Sequence, residues 1–183
     1  AERVRQPARP RRAGGVPAGI AMPPPLVPPF PLLGEPGAWD ALTLLAATVF
    51  LEAQDEPFDG LLGVAWVIRR RALDWNQGWH GAVLGRDARM ADDARPFEPF
   101  SCWNDTDAPR SRARLITALP AQAEPSWRVA AAVLWHLLPD PVAGAAFYLN
   151  IEVTRKIRGG SLPAWYDEGK VTAVLGRHTF LLA

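Results

Sequence analysis

AWDALTLLAATVFLEAQDEPFDG, residues 38–60, is the stretch on which the fold turns. Trp39, Leu42, Leu45, Ala46, Val49 and Phe50 recur at three- and four-residue intervals, so residues 38–53 read as an amphipathic α-helix. Pro57 lies just beyond, and the residue before a proline avoids helical dihedrals, so the helix should stop near Gln54 to Glu56. Glu52 is the odd member of this helix, because Leu45, Thr48 and Val49 precede it by seven, four and three positions on the same face. A carboxyl on a buried stripe is uncommon. Burial disfavours its charged form, which suits a group that donates a proton near neutrality. A second reading stays open at this point, a helix-end glutamate that turns to solvent or pairs with an arginine.

Downstream, residues 58–73 form a second helical pattern through Leu61, Leu62, Val64, Ala65, Val67 and Ile68. Arg69, Arg70 and Arg71 fall in its last turn, where cations complement the helix dipole. Residues 75–93 read as one helical turn with loops, and residues 97–109 as an irregular segment long enough to have a function of its own. Ser126 offers a cap for a third helix through Trp127, Val129, Ala130, Val133, Leu134 and Leu137, and His136 inside it reads as a hydrogen-bonded core residue. Residues 145–149 and 178–182 are strand-like. The expectation is a mainly α (α+β) domain with a small antiparallel β element over residues 38–183.

Residues 1–37 are a different kind of polymer. They hold ten of the 19 prolines and five arginines against two glutamates, and they lack helical or strand periodicity. The expectation is a disordered or partner-docked arm. Leu26, Val27, Phe30, Leu32 and Leu33 are unusual for a plain spacer, so residues 16–37 are candidates for docking on the domain itself or on a partner, such as a virion or envelope protein. The most apolar window, residues 16–33, contains seven prolines and cannot be a spanning helix. Those prolines also spoil the twin-arginine export outline begun by Arg11 and Arg12.

The remainder carries 15 basic and 17 acidic residues, with no electrostatic footprint for nucleic acid. A lone Cys102 excludes an internal disulfide framework. His80, His136 and His178 stand far apart with no paired-ligand spacing, so neither a metal nor another cofactor is expected. Cys102 as a nucleophile would need one of those histidines nearby, and nothing local announces it. Phe100, Ser101, Trp103 and Asn104 gather rings, a hydroxyl and an amide as a saccharide site needs, although core packing of the two rings competes equally. Asp55 and Glu56 follow Glu52 closely, but Pro57 makes them poor catalytic partners; raising the proton affinity of Glu52 and capping the second helix suit them better.

Together these segments resemble the SleB/CwlJ-type cell wall hydrolase family. Residues 46–60, AATVFLEAQDEPFDG, are similar to its A-x-x-[VI]-Y-G-E-A-R-G-E-P-x-x-G signature, whose glutamate before alanine is the catalytic acid and corresponds to Glu52. Val67 to Ala72, Phe100 to Asn104, Ala146 to Asn150, Pro163 to Trp165 and Gly176 to Phe180 resemble later family motifs in the same order. Leu51, Gln54, Asp55 and Arg70 depart from the pattern, whereas Glu52, Tyr148, Asn150 and His178 keep it. The resemblance implies a lysozyme-like helical fold and cleavage of peptidoglycan glycan strands between N-acetylmuramic acid and N-acetylglucosamine. A lytic transglycosylase, using one catalytic glutamate, is the subtype it implies. Phe100, Ser101, Trp103, Asn104, Tyr148, Asn150 and His178 become candidate substrate-binding residues. The implied location is the periplasm or cell wall of a bacterium, or a phage particle. The alternative is a phage-virion or envelope-associated protein that binds or penetrates the wall, anchored by its N-terminal arm, with weak or no catalysis.

Overall fold

Asp40 starts the first helix: its carboxylate accepts the Thr43 backbone N–H at 2.9 Å and the Thr43 hydroxyl at 2.8 Å. These contacts favour the ionised form and hold its pKa below the usual carboxylate value. The computed structural model describes residues 30, 35–74, 76, 78–85, 87–92, 95–97, 100–104 and 107–183. Helix α1 runs Ala41–Ala53, three residues shorter at its start than the periodicity predicts, because Asp40 caps it and Trp39 is extended. It is buried on all sides from Thr43 to Leu51 rather than along one stripe. A helix apolar all round belongs at the centre of a domain, and α1 packs against the helices α2 (Phe58–Asp74), α3 (Gly78–Leu84), α4 (Ala108–Thr117) and α5 (Pro120–Leu134).

Two short antiparallel sheets accompany these helices among the described residues. Strands β1 (Asp87–Asp92) and β2 (Arg95–Phe97) pair with each other. Strands β3 (Phe147–Leu149), β4 (Val171–Leu175) and β5 (His178–Leu181) form a sheet in the order β3-β5-β4, with the helix α6 (Ile151–Ile157) leaving the end of β3. The mainly helical α+β architecture agrees with the sequence reading. Helix α2 meets the sheet at Gly63, where an added Cβ would lie 2.6 Å from the Phe180 ring. Only glycine allows that approach.

Several local expectations change. Helix α5 begins at Pro120, not at Ser126, because Pro120 takes the first helical position and the Gln122 side chain accepts the Leu119 N–H. Pro125 inside it removes a single bond near the helix start. His136 is not a core residue: it follows the helix at φ 58°, exposed, in the left-handed closing position, with its ring against Trp66 at 5.2 Å. Arg71 is no surface cation. It is 2% exposed, donates from Nε to the Ala146 carbonyl at 2.8 Å, and lies over the rings of Phe100 and Phe147. Helices α4 and α6 and strand β4 had no clear sequence signal.

Of the arm, Leu26, Val27, Leu32 and Leu33 lie outside the described residues. Phe30 is described and sits in the core at 2% exposure, 5.3 Å from Phe50 of α1 and 5.5 Å from Trp127 of α5. Glu35 pairs with Arg112 of α4. The packed unit therefore includes residues on the N-terminal side of residue 38. No helix among the described residues is long and apolar enough to cross a membrane.

Candidate active site

Glu52 stands in the last turn of α1, half-buried, at the junction of the helices and the sheet. The Cys102 backbone N–H donates to its Oε1 at 3.3 Å, and the Tyr148 hydroxyl donates to its Oε2 at 3.1 Å. Both carboxylate oxygens are thus held by elements distant in sequence. The first donor comes from the 3-10 turn Ser101–Trp103, which is itself pinned to α1: the Trp103 indole N–H donates to the Thr48 hydroxyl at 2.9 Å, one turn before Glu52. The Thr48 hydroxyl donates in turn to the Leu44 carbonyl at 2.7 Å.

Tyr148 is carried by β3 between Phe100, His178 and Phe180, with ring centroids 6.3, 5.0 and 5.8 Å away. Burial, and then the Glu52 charge, push its pKa well above the usual phenol value. The hydroxyl therefore stays protonated and works as a donor. Cys102 is buried, and the same two causes push its thiol well above its ordinary pKa. A thiol held neutral is a poor nucleophile.

A cleft of about 380 Å³ opens beside Glu52. Ser101, Tyr148, Asn150 and His178 line it together with Glu52. Three other residues singled out from sequence are not on its wall. Phe100 is in the core under Tyr148, Trp103 bonds to Thr48, and the Asn104 side chain accepts the Asp107 N–H at 2.7 Å ahead of α4. Their contacts support the turn that reaches Glu52. Among the described residues on the cleft wall, Glu52 is the one carboxylate.

The profile of the cell wall hydrolase family matches residues 55–181, more than half of the chain. The chain belongs to the cell wall hydrolase family. The motif resemblance to SleB/CwlJ-type enzymes agrees with that membership, which supports peptidoglycan as the substrate and its hydrolysis as the broad activity. No curated protein and no solved structure matches the chain. Tyr148, Asn150 and His178 fall inside the matched span, whereas Glu52 lies three residues before it.

Glu56 takes a different part from the one expected of it. Its carboxylate accepts the Arg177 backbone N–H at 2.8 Å and the Arg177 side chain at 2.7 Å, tying the β4–β5 turn to the end of α1. Gly176 at φ 58° makes that closeness possible, because a Cβ there would overlap the Glu56 carboxylate. Burial would raise the Glu56 pKa, but the Arg177 bonds and the nearby His178 and Arg177 charges outweigh it and leave the pKa lowered. The anchored turn delivers His178 to the cleft, where burial, opposed by the Glu56 charge, lowers the imidazole pKa. Its neutral form is therefore favoured more than in a free imidazole.

The cleft wall also holds residues that sequence reasoning missed: Arg71, Trp165, and Val153, Thr154, Ile157 and Arg158 of the α6 segment. Trp165 stacks on Phe147 at 5.3 Å. Its proline-spaced motif was a readable signal. The seven residues of α6 are too few for a periodicity to stand out.

Proposed function

We propose that this cell wall hydrolase is a peptidoglycan lytic transglycosylase, with Glu52 as its single acid and base. The observation that carries the reading is the absence of a second carboxylate among the described residues of the cleft wall. Hydrolytic glycosidases ordinarily use two, one as acid and the other as nucleophile or base. A transglycosylase needs only one, because the second nucleophile belongs to the substrate.

In this mechanism the protonated Glu52 carboxyl gives its proton to the glycosidic oxygen between N-acetylmuramic acid and N-acetylglucosamine. The C1–O bond breaks, and the N-acetylglucosamine oxygen leaves as a hydroxyl. Positive charge develops at the muramic anomeric carbon. The muramic C6 hydroxyl attacks that carbon and gives its proton to the Glu52 carboxylate, which restores the starting state. The product is a 1,6-anhydromuramic end, formed without water. The Tyr148 hydroxyl and the Cys102 N–H stabilise the carboxylate between the two steps and fix its direction. Asn150, Ser101 and His178 supply polar groups for the sugar, and Trp165 a ring for its apolar face.

The test is digestion of purified peptidoglycan in ¹⁸O-labelled water, with product ends read by mass spectrometry. Unlabelled anhydro ends are expected. Reducing ends carrying the label would assign hydrolysis and overturn the transglycosylase subtype.

A further inference from the structure

Helix α6 presents apolar side chains that the fold does not use. None of its residues is buried, and Val153 and Ile157 are 48% and 78% exposed. Single exposed apolar residues are ordinary. These two are one helical turn apart, and with Thr154 and Arg158 they form a continuous face on the wall of the cleft that contains Glu52. The same segment is cationic. Arg155 and Lys156 occupy its last turn, Arg158 follows, and its one acid, Glu152, is in the first turn. The cleft's volume of about 380 Å³ is near the lower end of the range for small-ligand sites, roughly 300–1,000 Å³. Much of any polymeric substrate must therefore run out over the rim.

We propose that the α6 rim binds the peptide stem carried by the glycan strand, so that stem-bearing strands are selected over bare ones. This rests on reading the cleft as the site of glycan cleavage. The chemistry matches on both counts. A peptidoglycan stem is a short peptide with small alkyl side chains and free carboxylates, and α6 offers an exposed aliphatic face beside three cations. A bare glycan has hydroxyls, acetamides and the muramic lactyl carboxylates, but it lacks the stem's alkyl side chains, which are what would call for Ile157, and the further carboxylates spaced along the stem. Electrostatic attraction at such a rim draws the acidic stem in, and desolvation of the aliphatic face holds it.

The experiment compares kcat/KM on intact glycan strands and on strands whose stems have been removed by an amidase. The native chain is expected to favour intact strands by about tenfold, the scale of discrimination that apolar contacts supply. The triple variant Ile157→Ser, Arg155→Gln, Lys156→Gln is expected to bring that ratio close to one, with a melting curve like the native one because all three side chains are exposed. A native ratio of one, or a variant that keeps the native ratio, overturns the proposal. Failure of the native chain to cleave either strand sinks the glycosidase reading instead. Titration of native and triple-variant chains with a soluble muramyl peptide then decides the stem question: weaker binding by the variant supports it, and equal or no binding overturns it.

Discussion

Replacing Phe30 by alanine tests whether the residues before the helical domain belong to its core. Phe30 is 2% exposed and lies between Phe50 and Trp127, so truncation leaves a cavity walled by α1 and α5, two helices that cannot collapse freely. A buried Phe→Ala change typically costs about 3–5 kcal/mol. Part returns here, since an unanchored segment regains roughly 1–2 kcal/mol of backbone freedom per residue released. With one residue released the net loss is about 1–4 kcal/mol. For a chain of this length that lowers the melting temperature by roughly 2–16 °C. The assay is thermal melting by circular dichroism, on the Phe30→Ala variant and on a chain starting at residue 35. Matching losses are expected, because both remove the same anchor. If both melt with the native chain, Phe30 contributes nothing and the packed unit starts at or after residue 35.

Tyr148→Phe keeps the ring contacts and removes the donor to Glu52 Oε2; loss of a hydrogen bond to a charged group, about 1.5–3 kcal/mol, should lower kcat roughly 10- to 100-fold with KM and melting temperature little changed. Unchanged turnover would remove Tyr148 from the machinery. Thr48→Val leaves the half-buried Trp103 indole N–H without its acceptor and should destabilise by about 1–3 kcal/mol, read by urea titration, with activity falling further as the Cys102 turn loosens. The Glu56 pKa is lowered by folding, so its contribution is full above its ordinary value of 4.5 and disappears as pH falls through the folded value. Melting temperatures measured from about pH 6 to 3 should therefore drop less steeply for Glu56→Gln than for the native chain. Parallel acid limbs would show that the Arg177 contact carries no linkage.

The parts of this fold that were legible are those with long, self-contained patterns. Helices α1 and α2 announce themselves through apolar spacing and through Pro57, and β3 and β5 through short apolar runs with turn residues nearby. Helix α6 is too short to show a period, and while Ile151 packs on the core beside the sheet, Val153 and Ile157 line the cleft, so the rule that reads apolar as buried points the wrong way for those two. The start of α5 was hidden by Pro125, which looks like a breaker but falls close enough to the helix start to be tolerated. At the site, Glu52 and Tyr148 could be named from motifs, but the donors that hold the carboxylate depend on tertiary placement. The Cys102 contact is made by a backbone N–H, which no side-chain pattern reports. Glu56 sits in the signature beside Glu52, and only the folded chain distinguishes their parts, one turned toward the cleft and the other locked to the β4–β5 turn.

One carboxyl serving as acid and then as base makes the isosteric variant Glu52→Gln the decisive perturbation. With purified peptidoglycan as substrate, the native chain should accumulate 1,6-anhydromuramic ends over time. The variant, folded with the same melting curve, should release them at least about 1,000-fold more slowly, as expected for loss of an acid that later serves as base. Anhydro ends appearing at the native rate from Glu52→Gln would rule out Glu52 as that acid and base.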